Sequence, residues 1–312
     1  MGQGRTLRPT DGTALPITTR PNSPRKTGTF VTQLIVLDET RRNPDLRDRV
    51  LEVLDKVAPL VAEITDLPLP ATVRFRLLAP KAWREEVRLY PQRTLAKEIG
   101  DLEPPEIKAG RVIVKVAGFT PPLVWPLVLG STQEAKDGQC ETISTPATWR
   151  HAGVLASDPA LHQVIAHELV HQVQREARIG AVWTSLFPHK HGLGRASRKS
   201  ISFVLEGHAD WADRMVTTRL FGTPANHRKA RKSLRYRLHD NPLIRRFGPD
   251  REAYEQGGAM IEHVVGLHGA HTVNRVWEDI SLLPTKAEVA DPDAWGRRLK
   301  LDHGPHTVPA VS

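Results

Sequence analysis

Apolar side chains recur every three or four positions through residues 46–67, at Val50, Leu54, Val57, Val61 and Ile64, which predicts an amphipathic helix. Residues 72–77 switch to strict alternation, with Val73, Phe75 and Leu77 between polar neighbours, and predict a strand. Residues 82–99 carry a weaker helical pattern. The run Arg111-Val112-Ile113-Val114-Lys115-Val116 predicts a second strand, and Pro121, Pro122 and Pro126 then stop any regular element. Residues 139–145 predict a third strand. Beyond residue 157 the helical period dominates: residues 159–177, 201–221, 251–267 and 272–280 read as helices separated by Gly and Pro. Strands followed by helices indicate an α+β fold, with a small mixed sheet in the first half and a mainly helical second half. Residues 1–28 are rich in Arg, Thr, Pro and Gly without apolar periodicity and are expected to be a disordered tail. The chain then divides into a mixed part over 29–156 and a helical part over 157–312.

With 39% apolar and 25% charged residues, the chain has the composition of an ordinary globular protein. It lacks the roughly 18-residue apolar run of a membrane span and the apolar core of a secretory signal, so a cytoplasmic protein without membrane contact is expected. Its one cysteine, Cys140, excludes an internal disulfide and a four-cysteine zinc site. Any metal must therefore be held by His, Asp or Glu. The net charge of +9 is most concentrated in residues 226–246, with Arg228, Lys229, Arg231, Lys232, Arg235, Arg237, Arg245 and Arg246. Such runs are usually solvated faces and linkers, so a nucleic-acid partner is not expected and a polyanion-binding role stands as an alternative.

Chemistry enters at His167-Glu168-Leu169-Val170-His171, which matches H-E-x-x-H. Two histidines four apart lie on one helix face and can chelate one zinc ion. Ser157-Asp158-Pro159 supplies a cap and an N-terminal proline, placing the pentapeptide about two turns inside the helix. Leu161, Ile165, Leu169 and Val173 form an apolar stripe on the far side. Catalytic zinc usually takes three protein ligands, so a further His, Glu or Asp should come from another element. The segment Leu205-Glu206-Gly207-His208-Ala209-Asp210 offers three. Glu206 and Asp210 share a helix face, whereas His208 lies about 200° round from Glu206 beside Val204, Trp211 and Met215 and reads as a packing residue. Glu206 is the expected ligand. Asp210 is expected to orient a metal-bound histidine through its second ring nitrogen, with Asp213 a poorer candidate for that task.

These residues resemble the gluzincin class of zinc metallopeptidases, in which a second helix supplies a glutamate ligand followed one turn later by a supporting aspartate. The later Tyr254-Glu255-Gln256-Gly257 and the stretch from Leu283-Pro284-Thr285 to Trp295 are similar to a zincin-like metallopeptidase family of actinobacteria, often labelled as associated with deazaflavin-coenzyme biosynthesis. That resemblance implies a zincin-like fold, one zinc ion per chain and a peptide or protein substrate. Glu168 would serve as general base. A partner for the developing oxyanion is expected among Tyr254, His263, His268 and His271, and an edge strand at residues 139–145 could hold extended substrate. A catalytically inactive, zinc-stabilised scaffold is the alternative within the same class.

Overall fold

The computed structural model describes residues 32–177, 185–193, 197–245 and 251–301; the expected tail at residues 1–28 lies outside them. Four strands form one sheet: β1 (Gln33–Asp38), β2 (Thr72–Leu77), β3 (Ser131–Glu134) and β4 (Cys140–Ser144). The order is β1-β2-β4-β3, with the first two pairings parallel and the β4-β3 pairing antiparallel. In β2 the alternation seen in the sequence becomes burial: Val73, Phe75 and Leu77 are fully enclosed.

Among the described residues there are seven longer helices: α1 (Pro44–Thr65), α2 (Pro80–Glu98), α3 (Pro104–Phe119), α4 (Asp158–Glu176), α5 (Arg198–Phe221), α6 (Arg251–His268) and α7 (Pro292–Leu301). The α+β class is as expected, with strands in the first half and helices dominating the second. The main apolar core runs from Val36 and α1 through α4 and α5 to Trp295 and Leu299 of α7, with smaller clusters around Trp83 and around Phe187. Among the described residues, no helix is long and apolar enough to cross a membrane.

Four expectations are corrected. Residues 111–116 are not a strand but the middle of α3. Pro104 and Pro105 occupy its first turn, and Glu103 and Glu106 close a capping box. Its inward stripe is Ile107, Gly110, Val114 and Ala117, spaced three, four and three, while Val112 and Val116 stay more than half exposed. The β-branched side chains of that six-residue window suit a strand, but the longer helical pattern around them prevails. The prolines that follow do not end regular structure outright, since Pro121–Val124 forms a short helix with proline at its first positions. Residues 272–280 are broken into a short helix (Ala270–Asn274) and two 3-10 turns, Arg275–Trp277 and Ile280–Leu282.

The fourth correction bears on function. The strand expected at 139–145 exists as β4, but it is enclosed between β2 and β3, and all five of its residues are buried. The edges are β1 and β3, and β3, the one beside β4, has a Ser-Thr-Gln-Glu sequence that carries no apolar pattern.

Helices α5 and α6 come together at two glycines. A Cβ placed on Gly207 would sit 2.3 Å from the carbonyl carbon of Gly257, so the two backbones touch and neither position has room for a side chain.

Candidate metal centre

Helix α4 begins where the sequence indicates: Ser157 caps it by accepting from the Ala160 backbone N–H, and Pro159 lies in its first turn. Leu161, Ile165, Leu169 and Val173 are buried to within 1% of full enclosure. That stripe fixes the rotation of the helix and turns His167 and His171 toward α5. Their Nε2 atoms are 3.2 Å apart. From α5, Glu206 brings its Oε2 to 3.4 Å from His167 Nε2 and 3.6 Å from His171 Nε2. Among the described residues these three form a group able to hold a metal ion.

Hydrogen bonding around the group decides what it can hold. His167 Nδ1 lies 3.0 Å from Asp213 Oδ2, and His171 Nδ1 lies 2.8 Å from Gln174 Oε1. Both partners are acceptors, so each ring carries its proton on Nδ1 and turns a bare Nε2 lone pair inward. Glu206 Oε2 is buried and has no hydrogen-bond partner. With both imidazoles neutral, three acceptor atoms face one another, which is repulsive unless a proton or a metal cation sits among them. Tetrahedral zinc with bonds of about 2.05 Å needs ligand atoms about 3.3 Å apart, and the three separations bracket that value. The donor set fits zinc.

The electrostatics agree. Burial lowers the pKa of His167, but its contacts with Asp213 and Glu206 more than offset that and raise it well above the usual imidazole value. At His171 burial likewise acts downward, and Glu206 reverses it. Burial acts upward on Glu206, yet the two imidazoles hold its carboxyl far below the ordinary range. Each shift reports a pocket that attracts positive charge.

The carboxylate on His167 is Asp213, not Asp210. Seven residues after Glu206, Asp213 returns to within about 20° of its azimuth, closer than the 40° offset of Asp210. Asp213 is 2% exposed, and burial pushes its carboxyl up to about 6 despite the His167 contact. Its other oxygen, Oδ1, accepts from Gln163 Nε2 at 3.0 Å. Asp210 instead pairs with Arg214 at 3.2 Å, one turn on. His208 is enclosed against Trp211 and Trp277 as a packing residue, although Met215, expected on the same face, is 40% exposed.

Glu168 is buried beside the edge strand. Thr132 of β3 donates its hydroxyl to Glu168 Oε2 at 2.9 Å, and Gly130 just before β3 leaves the space the carboxylate fills. A cavity of about 130 Å³ opens there, lined by Leu127, Leu129, His167, Glu168, Arg228 and Tyr254 among others. Of the four residues expected to include an oxyanion partner, only Tyr254 reaches this cavity. Its ring stacks on His167 with centroids 5.5 Å apart and planes 16° from parallel, and Arg228 lies over it at 5.2 Å. Burial, reinforced by Glu206, raises the Tyr254 pKa well above that of a free phenol, so the group remains a neutral O–H donor. His263 is bonded to Asp293 at the surface, His271 is exposed beside Thr272, and His268 packs against Gly296 of α7.

The basic run proves to be part wall and part surface. Arg228 covers Tyr254, and Lys232 donates to the carbonyls of Ala152 and His227, whereas Lys229, Arg231 and Arg237 are exposed. Arg246 lies outside the described residues. Sequence reasoning missed Thr132, Gln163, Gln174 and His227. Gln163 and Gln174 sit four before His167 and three after His171 on the same helix face, a spacing that could have revealed both. His227 lines the cavity and is tied to Gln163 through its backbone N–H at 2.8 Å.

Residues 201–295, which include Glu206 and Asp213 but not the His167–His171 pair, match the family model of zincin-like metallopeptidases. The match, over less than a third of the chain, supports a zincin-like character for this segment. The fold is similar to a crystal structure from Chloroflexus aurantiacus provisionally described as a hydrolase with a novel fold. The likeness covers 84% of this chain and 92% of that one at 18% sequence identity, with a TM-score of 0.57. No curated protein matches the chain.

Proposed function

We propose that this zincin-like chain is a zinc-dependent metallopeptidase in which His167, His171 and Glu206 hold one zinc ion and Glu168 is the general base. The observation that carries this reading is the convergence of three bare acceptor atoms at 3.2–3.6 Å beside a buried carboxylate and an open cavity. Bound there, zinc would supply Lewis acidity, lowering the pKa of water toward about 7 and polarising a scissile carbonyl.

The remaining chemistry belongs to the chain. Thr132 occupies Oε2 of Glu168, which leaves Oε1 to take a proton from water and pass it to the leaving amine. Tyr254 donates its phenolic hydrogen to the developing oxyanion, and burial keeps that hydrogen in place at neutral pH. The outer edge of β3, one strand removed from β2, can pair with the main chain of an extended peptide and lay it along the cavity.

Metal analysis combined with a proteome-derived peptide cleavage screen tests the proposal. One zinc per chain and cleavage abolished by chelator are expected, and Glu168→Gln should retain zinc while losing about 10²–10⁴ in rate. A Gln variant as fast as wild type would refute the assignment. Full zinc without turnover of any peptide would favour a scaffold instead.

A further inference from the structure

The two imidazoles are oriented by different means, and the difference points to a residue that touches neither metal nor substrate. His167 rests on a carboxylate, which can only accept a hydrogen bond. His171 rests on the amide of Gln174, which can present either its oxygen or its NH₂ group. If the NH₂ group faced His171, the imidazole would have to accept at Nδ1 and carry its proton on Nε2, the atom aimed at the metal position. Gln174 must therefore be held one way round.

Its surroundings do this. Gln174 Nε2 lies 3.0 Å from the carbonyl oxygen of Leu205, a pure acceptor, which identifies that atom as the nitrogen. The same Nε2 lies 3.2 Å from His208 Nδ1, so the second amide hydrogen goes to His208, which must accept. Gln174 is 1% exposed, leaving no route for water to replace either partner. His208 thus carries its proton on Nε2, where it is buried among Trp211 and Trp277 without a hydrogen-bond partner. An orphaned buried donor is a standing cost, and the acceptor at Nδ1 is what the fold obtains in return.

We propose that His208 is a positioning residue for the metal centre: through the amide of Gln174 it fixes the tautomer of His171. The inference rests on the metal-site reading above. It also gives the packing histidine a task, because Leu205 and His208 flank the ligand Glu206 on α5. The relay therefore ties the helix bearing two ligands to the backbone bearing the third.

Two measurements test it. Zinc affinity is read by competition with a chromophoric chelator for wild type, His208→Leu and His208→Asn, with thermal melts alongside. Asparagine carries its Oδ1 on Cγ, as histidine carries Nδ1, and so restores the acceptor. His208→Leu should weaken zinc about 10–100-fold, the usual effect of removing an outer hydrogen-bond partner, and His208→Asn should return close to wild type. Leucine binding zinc as tightly as wild type, or asparagine as poorly as a folded leucine variant, overturns the proposal. Should the leucine variant not fold, long-range ¹⁵N–¹H spectra of metal-free wild type still decide. Recorded above the folded pKa of His171, where its ring is neutral, they should show His171 protonated on Nδ1 and His208 on Nε2, and the reverse at either ring refutes the relay. Wild type that binds no zinc but shows these tautomers would sink the metal reading and leave the hydrogen-bond relay standing.

Discussion

Replacing Gly130 with alanine separates catalysis from folding in one step. An alanine Cβ would fall 2.3 Å from Glu168 Cδ and 2.4 Å from its Oε1, against an ordinary carbon–carbon contact of about 3.5–4.0 Å. Backbone at residue 130 does not move easily, being continuous with β3, so the carboxylate must retreat by about 1 Å or more. That displacement breaks the 2.9 Å bond from Thr132 and takes Oε1 away from the cavity. A misplacement of about 1 Å in a reacting group costs about 10² in rate, or about 2.7 kcal/mol of barrier. Stability should change little. The lost hydrogen bond is worth about 1 kcal/mol, and replacing glycine by alanine returns about 0.4–1 kcal/mol by restricting the unfolded chain. The assay is kcat/KM on any peptide the wild type cleaves, with zinc content and melting temperature measured on the same samples. Gly130→Ala should keep zinc and stability while losing roughly 100-fold in rate, and a variant within twofold of wild type would refute the placement of Glu168 as base.

Gly207→Ala should behave differently: its Cβ would meet Gly257 backbone at 2.3–2.6 Å, so α5 and α6 must part, at about 1–3 kcal/mol of stability visible in a thermal melt. Asp213→Asn keeps an acceptor for His167 but removes its charge; zinc affinity should fall about 10–100-fold, and the His167 pKa in the metal-free protein should drop, as an NMR titration would show. Stability should also depend on pH in a way that metal reshapes. Burial lowers His208 and His227 to about 3, so the stability these groups contribute is present above about 6.5 and lost as pH falls toward 3, by up to about 1.4 kcal/mol per pH unit each. His167 and His171 are raised, so without metal their contribution is present below about 6.5 and lost as pH rises through their folded values. Urea unfolding should find the metal-free protein most stable near pH 6.5, with zinc removing the alkaline loss; a flat metal-free profile from pH 6 to 9 would contradict the shifts.

How much of this could be read from the sequence depended on whether signal and structure shared one scale. Helix α4 announces itself because cap, apolar stripe and paired histidines all repeat within a few turns. Strand β2 alternates over its whole length. By contrast β3 is Ser-Thr-Gln-Glu, and nothing in its side chains reveals that it closes the sheet; its existence depends on pairing with β4, six residues further on. Strand β1 is a short run, Leu34 to Leu37, without alternation, as parallel strands often are. Residues 111–116 look like a strand because four of the six are β-branched, whereas the helix is set by the two prolines and the capping box at its start. One-turn spacing favours Asp210 over Asp213 in the sequence, but α5 returns closest to the azimuth of Glu206 only after seven residues, at Asp213. The amides Gln163 and Gln174 escaped notice because they are neutral, though they hold the charged groups in place.

The bare crossing of Gly207 and Gly257 acts as a fulcrum. Glu206 is the residue just before one glycine, and Tyr254 stands three before the other. A shift at this point is levered at once onto the carboxylate facing the imidazoles and the ring lying over them. Attempts to retune selectivity by laboratory evolution should therefore draw productive variants from the apolar wall at Leu127 and Leu129, which carries no such linkage, and almost none from this crossing.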